Sequence, residues 1–169
     1  LKILITCRFK ELWMCLINNN FEIKKAQIED LEEISNLAKK IYLKYNSSLD
    51  TDEGINNILT FINYNNILMR TYIDGSLILK AMDIKKNTII GFIEIRNYNH
   101  ISLLFVDDEY FRLGLGKSLF EKVKDITKSD RYSVNSSDYA IDFYKKLGFV
   151  AIYDNIKIEN GVHFHPMIF

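Results

Sequence analysis

The chain has 169 residues, 22 basic and 22 acidic side chains and a formal net charge of zero, with 48% apolar and 26% charged residues. That profile fits one soluble globular domain, too short for two ordinary ones and long enough to bury roughly 70% of its unfolded surface without a covalent staple. The balanced charge argues against a nucleic-acid partner, and Cys7 and Cys15 are too few for a disulfide framework or a four-ligand zinc site, so a reducing cytosol is expected.

Residues 1–20 carry short apolar runs broken by Lys2, Arg8, Lys10 and Glu11. They lack the ~20-residue apolar stretch of a spanning helix and the unbroken centre of a secretory signal. We expect a terminal extension that packs Leu4, Ile5, Leu12, Trp13 and Leu16 on the core or on a partner chain. It precedes a single domain at 21–169, and no membrane anchor is expected.

Residues 21–26 alternate loosely and read as a strand. Ile28, Leu31, Ile34, Leu37, Ala38, Ile41, Tyr42 and Tyr45 then recur at helical spacing, and Ile55, Ile58, Leu59 and Ile62 predict a second helix. Residues 66–74 fit a short helix or a strand, and Asp74-Gly75 is a turn signal. Strands are expected at 76–84, 88–96 and 100–107, the last a nearly all-apolar run of the kind buried on both faces. Leu115, Leu119, Phe120, Val123 and Ile126 return to helical spacing over 114–127. Residues 131–136 form a short strand. Ala140 to Leu147 form a last helix, closed by Gly148, and the tail is a hairpin turning at Asn160-Gly161. The order β-α-α-β-β-β-α-β-α-β-β predicts a mixed α/β (α+β) sheet flanked by helices.

Chemistry concentrates in residues 100–120. An apolar strand ends at Val106, a polar loop follows, and Gly114 and Gly116 open an amphipathic helix. Free N–H groups and the positive dipole end of such a helix bind anions, and glycines let the backbone approach a phosphate. A G-x-G pair alone is equally the start of an ordinary helix. The P-loop pattern fails because Phe111 stands where its first glycine belongs, and the dinucleotide fingerprint fails at Leu119.

Phe111-Arg112-Leu113-Gly114-Leu115-Gly116 resembles the [QR]-x-x-G-x-[GA] cofactor segment of the GCN5-related N-acetyltransferases, with Phe111 in place of the polar residue. Ser137, Ala140, Tyr144, Gly148 and Phe149 keep the spacing of that family's N-x-x-A-x-x-x-Y-x-x-x-G-F, with Ser137 in place of Asn and Asn135 two residues away. The resemblance covers about residues 21–155. It implies a mostly antiparallel sheet of six to seven strands, with 100–107 and 131–136 as parallel strands that splay beside the cofactor.

The resemblance also implies acetyl-CoA as acetyl donor and a primary amine of a small molecule or peptide as acceptor, with no acyl-enzyme. Backbone N–H groups at Leu104, Phe105 and Val106 would take the pantetheine arm and the oxyanion. The phosphates would meet Arg112, Leu113, Gly114, Leu115, Gly116, Lys117 and Ser118, with Asn135 and Ser137 nearby. Tyr144 maps to the acid that protonates the leaving thiolate, or else it is one more apolar-face residue. His100 holds the place where some members carry a Glu base; it suits a base near neutrality or is a loop-edge histidine facing solvent. Glu94 could act through a water. Asp107, Asp108 and Glu109 read as a solvated acidic loop, and His163 and His165 as residues sharing an exposed hairpin face. The rival reading is a catalytically silent acetyl-CoA-binding or sensing domain. Acceptor pockets in the family are built from the first two helices and the final hairpin, and a monomer or homodimer is expected.

Overall fold

The computed structural model describes residues 21–169, so the expected packing of the terminal extension lies outside the described residues. Strand β1 (Phe21–Lys25) leads through a 3₁₀ turn into helix α1 (Leu31–Ile41). The entry is fixed by a reciprocal cap, with the Gln27 N–H donating to Asp30 Oδ2 at 2.7 Å. Leu31, Ile34, Leu37, Ala38 and Ile41 form its buried stripe. A π-helical turn (Tyr42–Asn46) and a 3₁₀ turn (Ser47–Leu49) then carry the chain to α2 (Asp52–Phe61) and α3 (Tyr64–Tyr72). The segment left open between helix and strand is therefore a helix. Asn63 decides it, since its side chain accepts the Asn66 N–H at 2.9 Å as an N-cap.

The remaining elements are β2 (Leu77–Asp83), β3 (Thr88–Arg96), β4 (His100–Val106), α4 (Leu115–Thr127), β5 (Ser133–Ser136), α5 (Ile141–Leu147), β6 (Val150–Ala151), β7 (Lys157–Glu159) and β8 (Val162–Ile168). The strand order is β1-β2-β3-β4-β5-β8-β6, with β7 paired to β8. The described residues thus hold eight strands rather than six or seven, because two short strands, β6 and β7, both pair with β8 in the tail instead of a simple hairpin. All pairs are antiparallel except β4 with β5. No helix among the described residues is long and apolar enough to cross a membrane.

Two cores follow from the two faces of the sheet. One lies under α4 and α5 and includes Ile93, Ile101, Leu119, Phe120, Tyr144 and Phe149. The other lies under α1, α2 and α3 and includes Ile34, Ile41, Ile62, Ile78, Phe92 and Phe105. Each such side chain contributes ~1.5–3 kcal/mol by leaving water. The second core also encloses a charge pair. Arg70 donates from Nε to Glu94 Oε1 at 2.7 Å and from Nη2 to Oε2 at 2.9 Å, and its Nη1 reaches the Phe61 carbonyl at 2.7 Å.

The tail is seamed to α2. The Thr51 N–H donates to the Gly161 carbonyl at 3.0 Å, and Asn57 Nδ2 donates to the Asn160 carbonyl at 3.0 Å. A Cβ on Gly54 would overlap the Gly161 carbonyl oxygen, so the helix and the turn approach backbone to backbone.

Candidate active site

Strands β4 and β5 pair only at His100–Ser133 and Ile101–Val134. Beyond that point β4 stays on β3 and β5 turns to β8, so the β4 edge from Ser102 to Val106 has no strand beside it. Ser102 is a bulge: Ile101 faces Ile95 and Leu103 faces Glu94, with Ser102 unmatched between them. The expected splay is therefore present. Of the three expected donor positions, Leu104 and Val106 are half-buried on the α4 side, while the Phe105 ring turns to the opposite core.

The open end of the slot leads to the start of α4. Gly114 is its N-cap in the left-handed region (φ 82°), where a side chain is strained, and it offers no capping group. The first intrahelical bond is from the Ser118 N–H to the Gly114 carbonyl at 3.0 Å. The N–H groups of Leu115, Gly116 and Lys117 thus precede the helical ladder, and no acidic side chain occupies the first turn. Arg112 and Lys117 are exposed beside them, Leu113 and Ser118 are half-buried, and Arg112 is itself left-handed at φ 62°. This arrangement suits an anion.

Gly116 is buried, and a Cβ there would come within 3.1 Å of Phe143 Cζ. Gly116→Val should therefore lower thermal stability as well as affinity for the acetyl-CoA that the resemblance implies. Melting without ligand and a binding titration measure the two effects separately. An unchanged affinity would move the phosphate cradle elsewhere.

Phe111 makes no polar contact to the cradle. It points to the α1 side and packs on Tyr45 (centroids 5.2 Å) and Tyr139 (6.2 Å), which lie 5.0 Å from each other. The acidic loop is ion-paired rather than solvated. Lys40 reaches Asp107 at 2.8 Å and Asp108 at 3.0 Å, and Lys44 also binds Asp108. Lys44 and then Lys40 hold the Asp108 carboxyl well below the usual carboxylate range. Glu94 is committed to Arg70 and fully buried, so it is not free to work through a water.

Tyr144 is buried in the α4–α5 core against Phe143 (5.1 Å) and Phe149 (5.3 Å). Burial alone pushes its phenol well above its ordinary value. His100 is half-buried at the closed end of the slot, with Nδ1 2.9 Å from Ser133 Oγ. Burial, and then Arg96, push its pKa down. Asn135 is exposed, while Ser137 Oγ accepts from Asn46 Nδ2 at 2.7 Å and ties the β5–α5 turn to the segment after α1.

That tie closes one side of a cleft of about 290 Å³ lined by Tyr45, Asn46, Ser48, Leu49, Asp138, Tyr139 and His163. The histidine pair does not face open solvent: the His163 and His165 side chains are only 20% and 16% exposed, and His165 Nε2 lies 2.7 Å from Asp138 Oδ1. Period-two spacing put both on one face, and only the fold shows what covers it. Among the described residues no group of three or more His, Cys, Asp or Glu side chains could hold a metal.

A splayed parallel pair thus lies beside an uncapped, glycine-opened helix. The acetyltransferase (GNAT) domain family matches residues 47–169, and the chain belongs to this family. Solved structures agree on the fold. A GCN5-related N-acetyltransferase from Rhodopseudomonas palustris superposes with a TM-score of 0.71 at 20% identity, covering 88% of this chain and 94% of that one. PaiA N-acetyltransferase from Thermoplasma acidophilum, in complex with coenzyme A, gives 0.67 at 23% identity over 88% and 97%. A GNAT-family acetyltransferase from Staphylococcus aureus gives 0.65 at 22% over 88% and 97%.

Proposed function

We propose that the protein moves an acetyl group from acetyl-CoA directly to a primary amine of a small molecule or peptide. The carrying observation is the unpaired β4 edge from Ser102 to Val106, which runs to the uncapped N-terminus of α4. A pantetheine arm can add to that edge as a strand would, and its pyrophosphate can then meet the N–H groups of Leu115, Gly116 and Lys117. That one structural neighbour is in complex with coenzyme A supports a ligand of this type. We take residues 21–169 as a single N-acetyltransferase domain, in the cytosol, as a monomer or homodimer.

Tyr144 is the proposed acid. Its raised pKa keeps it protonated, and a thiolate forming in the same apolar surroundings is disfavoured by the same desolvation. Two histidines are candidates for the base. His100 stands at the closed end of the slot, and its lowered pKa favours the neutral imidazole that a base requires. The other lies in the cleft and is argued below.

Acetyl-CoA at about 100 times its Kd should stabilise the protein by ~2.7 kcal/mol, or roughly 5–10 °C in Tm. Thiol release over a panel of amines then tests transfer. No shift at millimolar acetyl-CoA sinks the cofactor assignment, and an equal shift with ATP or NAD reduces it to generic phosphate binding. Stabilisation without thiol release would leave the silent acetyl-CoA-binding domain.

A further inference from the structure

Asp50 and His163 form a pair built like the orienting half of a catalytic dyad. The Asp50 side chain is 3% exposed. Its Oδ2 accepts from the Tyr42 hydroxyl at 2.6 Å and its Oδ1 accepts from the His163 backbone N–H at 2.7 Å. These two bonds hold the carboxylate against the His163 ring, with Nδ1 3.6 Å from Oδ1. His163 Nδ1 is shut off from solvent and has no hydrogen-bond partner among the described residues. Nε2 is not shut off in this way, and the ring lines the cleft. A small closing movement would turn the 3.6 Å approach into an Nδ1–H···Oδ1 bond. That bond fixes the tautomer with the Nε2 lone pair toward the cleft and stabilises the imidazolium.

We propose, resting on the acetyltransferase reading above, that His163 oriented by Asp50 is the base that deprotonates the acceptor ammonium in this cleft. The ammonium gives one proton to Nε2, and its freed lone pair attacks the thioester carbon. The C–N bond forms and the C–S bond breaks. Tyr144 protonates the sulfur and is restored by the second proton shed from the amide nitrogen. The imidazolium returns its proton to solvent.

The cleft's about 290 Å³ is at the small end of ligand sites, so it takes one end of an acceptor. The chemical class is a primary amine on a slender stem. The Tyr45 and Tyr139 rings pack on each other at 5.0 Å and together form one aromatic wall of the cleft, along which such a stem can lie. The titratable and charged groups around His163 are Asp50, Tyr42 and Tyr45 from the segment after α1, Asp138 and Tyr139 from the β5–α5 turn, His165 on its own strand, and Lys157 and Glu159 on β7.

The test is the pH profile of kcat/KM for the wild type and for His163→Asn, His163→Gln, Asp50→Asn and His100→Asn, with melting temperatures and acetyl-CoA affinity measured alongside. Both His163 variants should bind acetyl-CoA as the wild type does and lose about 10²-fold in kcat/KM at pH 7. The deficit should shrink about tenfold per pH unit as the acceptor itself deprotonates toward an amine pKa of ~10. Asp50→Asn should lower kcat while leaving acetyl-CoA affinity unchanged, because an amide no longer selects the Nδ1–H tautomer. His100→Asn, whatever it costs in rate, should keep the wild-type limb. A working wild type whose limb disappears in His100→Asn and survives in both His163 variants overturns the proposal alone. A wild type that binds acetyl-CoA and releases no thiol with any amine overturns the acetyltransferase reading and this base together.

Discussion

Tyr144→Phe should lower kcat by roughly 10²- to 10⁴-fold, the usual worth of a general acid, with acetyl-CoA affinity nearly unchanged. As the proposed acid, the hydroxyl would act only as the C–S bond breaks, so its loss would fall on the transition state. Stability should barely move. The ring packs on Phe143 and Phe149 through carbon, and its hydroxyl has no hydrogen bond to lose among the described residues. The pH behaviour follows from the sign of the shift. A phenol raised by burial stays protonated beyond its ordinary pKa of ~10, so Tyr144 should cause no fall in wild-type kcat between pH 7 and about pH 10. A variant with wild-type kcat, measured where chemistry limits turnover, would return Tyr144 to the role of a core residue.

Glu94→Gln should cost about 3–5 kcal/mol, which for a domain of this size is a fall in Tm of roughly 6–20 °C. The reason is geometric. Glu94 is 0% and Arg70 8% exposed, and the two form a two-pronged pair inside the α1–α3 core. Removing the carboxylate charge leaves a guanidinium stacked 3.8 Å over the Phe61 ring with no counter-ion and little water. Replacing both partners by apolar residues, Arg70→Met with Glu94→Leu, should recover most of the loss, because two desolvation costs vanish along with the attraction. Thermal melts of the single and double variants decide this. A single variant as stable as the wild type would show that water reaches the pair.

The local signals in the chain were reliable where one residue settles a backbone state. Thr88–Arg96 is the strand its β-branched run predicts, and Asn160 and Gly161 turn the chain at φ 49° and 79°. The two glycines opening α4, and the spacing from Ser137 to Phe149, were legible because they describe short stretches with their own geometry. What the sequence hid was pairing at a distance. Glu94 reads as a polar position on a strand until Arg70, on a helix 24 residues earlier, fills the space above it. Asp107 and Asp108 look solvated until Lys40 arrives from α1 and Lys44 from the π-helical turn after it. His163 and His165 share a face by simple alternation, but that face is covered by Asp50 and Asp138, which lie 113 and 27 residues away in the chain. Asn63, by contrast, is a local signal: its side-chain cap decides for helix at α3 over the mixed apolar pattern that follows it.

Under the proposed function, the seam between α2 and the tail bears on altering acceptor scope. The same stretch of chain that carries Asp50 and Leu49 is stitched at Thr51 and Gly54 to the turn that leads into His163. The cleft's opposing walls are thus two sides of one rigid frame, and its aperture is set by bonds outside the cleft. Lengthening the tail turn would unfasten the frame before it widened the opening. Bulkier amines should be admitted by shortening the side chains that project inward, Leu49 and Tyr139, while the glycine seam is left alone. A library confined to those two positions therefore samples selectivity with stability held nearly constant, whereas one that includes Gly54 or Gly161 mostly samples unfolded protein.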